Sequence, residues 1–112
     1  MIMGKKVWKK LVRDRIPEFL RQKGVKVQAT KITDPKEKKW LLWEKLKEEL
    51  KELVEADSEH VLEEIGDVMS VARGLAHAYG FTDREIETQI ERKDKERGAF
   101  EEGVFLIETE EK

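Results

Sequence analysis

Apolar residues recur at helical spacing from Pro35 to about Asp57, and again from Glu59 to about Tyr79. The five residues ADSEH (56–60) break the pattern between the two runs. Two helices of that length, joined that briefly, bury their apolar stripes most simply by folding back on each other as an antiparallel pair. The first stripe is Leu42, Leu46, Leu50, Leu53 and Val54, with Trp43 beside it. The second is Val61, Ile65, Val68, Val71, Ala72, Leu75 and Tyr79. Their ends are marked as well. Thr33 or Asp34 can cap the first helix with Pro35 in its first turn, Ser58 can cap the second, and Gly80 can stop it.

The remaining segments add little core. VWKKLVRDRIPEFLRQ (7–22) reads as a short helix with Pro17 in its first turn, Ile16 or Asp14 as cap, and Gly24 as its end. VKVQATKI (25–32) and GVFLIE (103–108) read as short strands or extended segments. TDRE (82–85) is a capping box opening a helix that runs to about Arg97 and stops at Gly98. That last helix offers only Ile86 and Ile90 to a core. The expected fold is therefore all-α: one domain over residues 1–112, an antiparallel helical bundle with short extended segments near both ends. The thin core, Trp40 and the broad apolar face of 40–54 imply that a second copy of the chain completes it. Trp40 and Trp43 are expected in the core or at that interface, and Phe100 in the core. The closing ETEEK is expected to fray.

Charge excludes several functions. Acids and bases nearly cancel, for a net charge of -2, whereas nucleic-acid and membrane-surface binders need a basic excess. Without cysteine there is neither a disulfide nor a thiolate metal site. No apolar run approaches the roughly 20 residues that span a bilayer, and MIMGKKVWKK has no apolar signal region, so a cytoplasmic location is expected. The Lys- and Glu-rich makeup fits a heat-adapted source.

The acids concentrate where the two long helices meet their stripes. With about 100° per residue and Glu49 at zero, the first stripe centres near +60°, Glu52 lies near -60° and Glu48 near -100°. With Glu64 at zero, the second stripe occupies the same angles and Asp67 lies near -60°. Each helix thus carries a carboxylate pair at i, i+3 on the same flank of its buried face, and antiparallel packing lets the four converge. Converging carboxylates stay ionised only with a cation among them. Hard oxygen donors select Mg²⁺, Mn²⁺ or Ca²⁺ over zinc, and Mg²⁺ keeps positions open for substrate phosphates. The plain alternative is a solvated acidic face. Glu59, Glu63, Glu85 and Glu87 read as surface residues, and Glu91 with Asp94 carries no role.

The order EELKE (48–52), short gap, EEIGDV (63–68) resembles the Glu-Glu-x-x-Glu … Glu-x-x-Asp signature of the all-α nucleoside triphosphate pyrophosphohydrolases, a superfamily that includes MazG-like proteins. KLVRDRIPE (10–18) is similar to the opening of one MazG-like branch, and KDKERGAF (93–100) followed by VFLIE to its closing segment. The resemblance implies Mg²⁺, or Mn²⁺, held by Glu49, Glu52, Glu64 and Asp67. It gives Glu48 and Glu49 catalytic roles, with Glu48 as outer support or as activator of a water. It also implies cleavage of the α–β bond of a nucleoside triphosphate in house-cleaning of the nucleotide pool, by a homodimer or homotetramer. Lys93 and Arg97 match basic positions near the phosphates, with pairing to Glu96 and Asp94 as the alternative. Lys10 and Arg13 form a second basic cluster, which either meets triphosphate charge or, with Asp14, pins the N-terminal segment to the helices. Ala99 stands where the branch more often has glycine. Phosphoribosyl-ATP hydrolysis and a non-catalytic helical scaffold are the competing readings. His60 and His77 carry no assigned role.

Overall fold

A computed structural model describes residues 4–111; the opening MIM and the closing Lys112 lie outside them. Four helices follow in order: α1 (Ile16–Gln22), α2 (Pro35–Glu55), α3 (Val61–Ala78) and α4 (Asp83–Arg97), with no strand among the described residues. The fold is all-α. Residues 25–32 and 103–108 form no ladder and run as irregular connections, since neither lies beside a partner segment to pair with.

The helix ends show which local signals prevailed. Asp34, not Thr33, caps α2, its carboxylate accepting from the Glu37 N–H, with Pro35 following. The capping box at Thr82 and Glu85 forms in full. Arg15 occupies the cap position of α1 without a side-chain bond. At α3 the cap is not Ser58. Asp57 accepts from the backbone N–H of Glu59 and His60 and contacts His60 Nδ1 at 2.7 Å. One carboxylate reaches all three groups across the 56–60 turn, so the hydroxyl one residue later is not needed. Gly80, at φ +91, takes the left-handed position that closes α3.

α2 and α3 form the main packed unit, and their register follows from one contact. Leu42 on α2 lies against Gly74 on α3, its Cδ2 only 3.6 Å from where a Cβ on the glycine would sit. Seven residues onward from Leu42 is Glu49, and seven back from Gly74 is Asp67. The helices are antiparallel, with Glu49 level with Asp67.

The covered faces are narrower than the stripes. Leu42 and Leu75 are buried, and Leu46, Leu53, Val61, Val68 and Val71 are half-buried. Leu50, Val54, Ile65, Ala72 and Tyr79, expected in the core, are exposed. The contact face is turned by about 40° from the stripe centre toward the carboxylates. Glu49 and Glu64 therefore lie inside the helix–helix contact instead of bordering it. The outer half of each stripe is left facing away, as Trp40 and Trp43 are. Phe100, expected in the core, is 99% exposed, because the chain bends away after Gly98 and meets no other element.

The chain is also extended. Its radius of gyration is 19.1 Å, against about 13 Å for a compact domain of this length. α4 touches only α3, and α1 packs on no other helix. No helix among the described residues is long and apolar enough to cross a membrane.

Candidate metal centre

Register and burial together place Glu49 at the heart of the α2–α3 contact, 6% exposed. One carboxylate oxygen each from Glu49, Glu64 and Asp67 lies within 4.8 Å of the other two. The Oε2 atoms of Glu49 and Glu64 are shielded from solvent and have no hydrogen-bond partner. Native folds nearly always give a shielded polar atom a partner, whether protein, water or a bound ligand. Two aimed into one acidic cluster suit a bound cation. Glu52, one turn on from Glu49, is exposed and outside this trio, yet still within its field. Its carboxyl is raised above the usual range by partial desolvation, then by Glu49 and Glu64. Glu64 is raised too, by desolvation and by the charges of Glu49 and Asp67.

Three basic side chains surround the trio. Lys45 reaches Glu48 at 2.9 Å and Glu49 at 3.3 Å. Lys10 reaches the other oxygen of Glu48 at 3.0 Å and lies 4.9 Å from the Trp8 ring centre. Arg13 donates to Asp67 at 2.7 Å and to Ser70 Oγ at 3.1 Å. The N-terminal segment is thus drawn onto both long helices by its basic residues; Asp14 takes no part. Burial works to raise the Glu48 carboxyl, but hydrogen bonds from Lys45 and Lys10 outweigh it and hold the group below its ordinary range. With both oxygens occupied by ammonium groups, Glu48 is arranged as a charge bridge and is a poor proton acceptor. For Lys45 burial works to lower the pKa, and the bonds to Glu48 and Glu49 raise it overall.

Lys93 and Arg97 lie exposed on α4 and make no ion pair or hydrogen bond among the described residues, with Glu96 and Asp94 or with the carboxylate cluster. His60 pairs with Asp57 in the 56–60 turn and His77, at the end of α3, with Asp83 at the start of α4, both outside the cluster. Sequence reasoning missed Lys45 and Ser70. Both were within reach: Lys45 stands three and four residues before Glu48 and Glu49, and Ser70 three after Asp67, which on a helix is the same face.

The raised carboxyls give a pH test. For Glu52 and Glu64 the folded-state pKa exceeds the unfolded one, so folding binds protons. Their repulsion should weaken the metal-free fold above the raised range and fade as pH falls through it toward about 4.3. The Glu48 contribution has the opposite sign: present above its unfolded pKa and lost as pH falls through its lowered one. Metal-free urea unfolding should therefore show greatest stability in mild acid, moving toward neutrality when Mg²⁺ is added. A metal-free optimum already at neutral pH, unmoved by Mg²⁺, would count against the coupling.

An antiparallel helix pair brings three carboxylates to one level, two with shielded free oxygens, an acidic trio with the spacing to hold a metal ion. Residues 36–104 match the MazG-like family, and the chain belongs to it. That span contains both acidic segments and α4; Lys10 and Arg13 lie before it. Comparison with curated proteins and with solved structures gives no match. Membership points to hydrolase chemistry of the nucleoside triphosphate pyrophosphohydrolase type, and to dependence on a metal.

Proposed function

We propose that the chain is a Mg²⁺-dependent nucleoside triphosphate pyrophosphohydrolase, cleaving the α–β bond to a monophosphate and pyrophosphate in nucleotide-pool house-cleaning. It would work in the cytoplasm as a homodimer or homotetramer, with Mn²⁺ able to replace Mg²⁺. The observation that carries this is the pair of shielded, unpartnered Oε2 atoms of Glu49 and Glu64 beside Asp67.

Glu49, Glu64 and Asp67 would hold the ion, with Glu52 one turn away supplying a fourth carboxylate. The ion, when bound, supplies Lewis acidity at phosphorus and neutralises phosphate charge. Glu48 fixes the positions of Lys10 and Lys45 at the rim. Arg13 keeps Asp67 oriented and presents an exposed guanidinium to an incoming phosphate. Lys93 and Arg97, four apart on one face of α4, are suited to phosphates arriving from solvent.

The test is thermal unfolding with Mg²⁺ alone and with Mg²⁺ plus a panel of canonical and damaged triphosphates, alongside pyrophosphate release. Mass action at about 100 times Kd stabilises a folded state by about 2.7 kcal/mol. A Tm rise with Mg²⁺ that triphosphate increases further, and that Asp67→Asn removes, is the expected result. An unmoved Tm and no pyrophosphate would leave a helical scaffold.

A further inference from the structure

The Lys45 ammonium lies against one member of the carboxylate trio, Glu49. Its side chain is 15% exposed, and it bridges Oε2 of Glu48 and Oε1 of Glu49, a residue of the proposed centre. A divalent ion accepts carboxylate oxygen at about 2.0–2.2 Å. Such an ion and an ammonium 3.3 Å from Oε1 of the same carboxylate would stand roughly 5–6 Å apart, close enough for their repulsion to count in a site shielded from water. Lysine has a short retreat, because its second acceptor, Glu48, lies at 2.9 Å and is not one of the trio. Glu48 in turn is anchored by Lys10 from the N-terminal segment.

We propose that Lys45 is an internal counter-ion. It neutralises Glu49 in the metal-free chain, competes with the divalent cation for that carboxylate, and withdraws onto Glu48 when the cation binds. This rests on reading the trio as a metal centre. It makes Lys45 a positioning residue that sets metal affinity, and it explains how Glu49 is tolerated in the helix contact before the ion arrives. A residue that merely supported Glu49 as a ligand would have the opposite effect on affinity.

The test is a Mn²⁺ titration of the full chain followed by electron paramagnetic resonance, for wild type, Lys45→Met and Lys47→Met. Lys47 is the control: it lies on the same helix, carries the same charge and pairs with Glu44 away from the trio. Lys45→Met should bind Mn²⁺ about tenfold more tightly, and Lys47→Met as wild type does. Its metal-free Tm should fall, while its Mn²⁺-saturated Tm matches wild type. Unchanged or weaker Mn²⁺ binding by Lys45→Met, with wild type binding normally, overturns the counter-ion role and leaves the metal centre standing. Absence of binding in both removes the centre and the role together, whereas binding by Lys45→Met alone supports the role. If Lys45→Met does not fold, amine labelling of wild type decides. Labelling of Lys45, and not of Lys47, should rise several-fold when Mg²⁺ is added. No change overturns the role.

Discussion

Glu49→Gln is expected to lower Mg²⁺-dependent pyrophosphate release by at least about a hundredfold and to abolish the Mg²⁺-induced rise in Tm. The side chain is nearly isosteric, so the effect is one of charge. Glu49 is the most buried acid of the cluster and the one whose free oxygen faces the other carboxylates. Glutamine keeps one carbonyl oxygen but loses the ionised second one, and its amide offers donors where a cation needs acceptors. The metal-free fold should hardly notice. The variant loses an ion pair with Lys45 at 3.3 Å, but also the repulsion between Glu49 and Glu64. These oppose each other, and the net change in urea unfolding should stay within about 1 kcal/mol. Glu44→Gln, changing an exposed acid on the same helix that pairs with Lys47, should alter neither activity nor metal response. Full activity in Glu49→Gln would show that the trio is not the reacting centre. Lost activity together with a collapsed metal-free fold would make Glu49 structural.

Much of this was legible in the chain before any coordinates. Helical spacing gave α2 and α3, and the brevity of 56–60 gave their antiparallel pairing. The i, i+3 pairs Glu49–Glu52 and Glu64–Asp67 pointed to convergence because antiparallel helices oppose like flanks. The depth of burial was not legible. Periodicity locates a stripe but not which half of it meets a given neighbour, and here the contact face turned toward the acids, taking Glu49 and Glu64 in and leaving Leu50 and Ile65 out. Lys10 and Arg13 stood out as a basic cluster, but their exact partners were not legible, for a related reason. Lys10 and Arg13 come from a segment far away in sequence, and their partners, Glu48 and Asp67, follow from tertiary docking that no local pattern encodes. Segments 25–32 and 103–108 alternate like strands, but alternation has no structural consequence without a neighbouring strand to pair with. Phe100 misled most, apolar enough for a core that one chain does not provide, whereas Trp40 and Trp43, expected in the core or at an interface, are exposed on the single chain.

Exposed apolar residues support the second large expectation: if the chain assembles through them as proposed, Met69→Glu should reduce it to a 13.2 kDa monomer and remove cooperative unfolding. Trp43, Leu50 and Val54 on α2, with Leu62, Ile65 and Met69 on α3, are exposed along the side of the hairpin turned away from its own contact face. Contiguous apolar surface of this kind on a water-exposed hairpin marks a protein interface. Among the described residues of one chain, Leu42 and Leu75 are the only buried apolar side chains, too few to offset the conformational entropy of ordering about a hundred residues. A second copy presenting the same face through a two-fold axis would cover both and complete the core. Met69 is 61% exposed and lies one turn from Ile65, so a glutamate there would bury a charge without a partner in the joined faces. Sedimentation equilibrium should find wild type at twice or four times the chain mass and Met69→Glu at the chain mass, with the Tm of wild type rising with protein concentration. Lys51→Glu, a charge reversal at an exposed polar position of α2, should leave the assembly intact. Because Glu49, Glu64 and Asp67 lie in the intrachain contact between α2 and α3, the variant that fails to assemble can still bind Mn²⁺ weakly if its hairpin persists. A Met69→Glu protein of undiminished mass would instead place the interface elsewhere and leave this apolar face without a partner of its own kind.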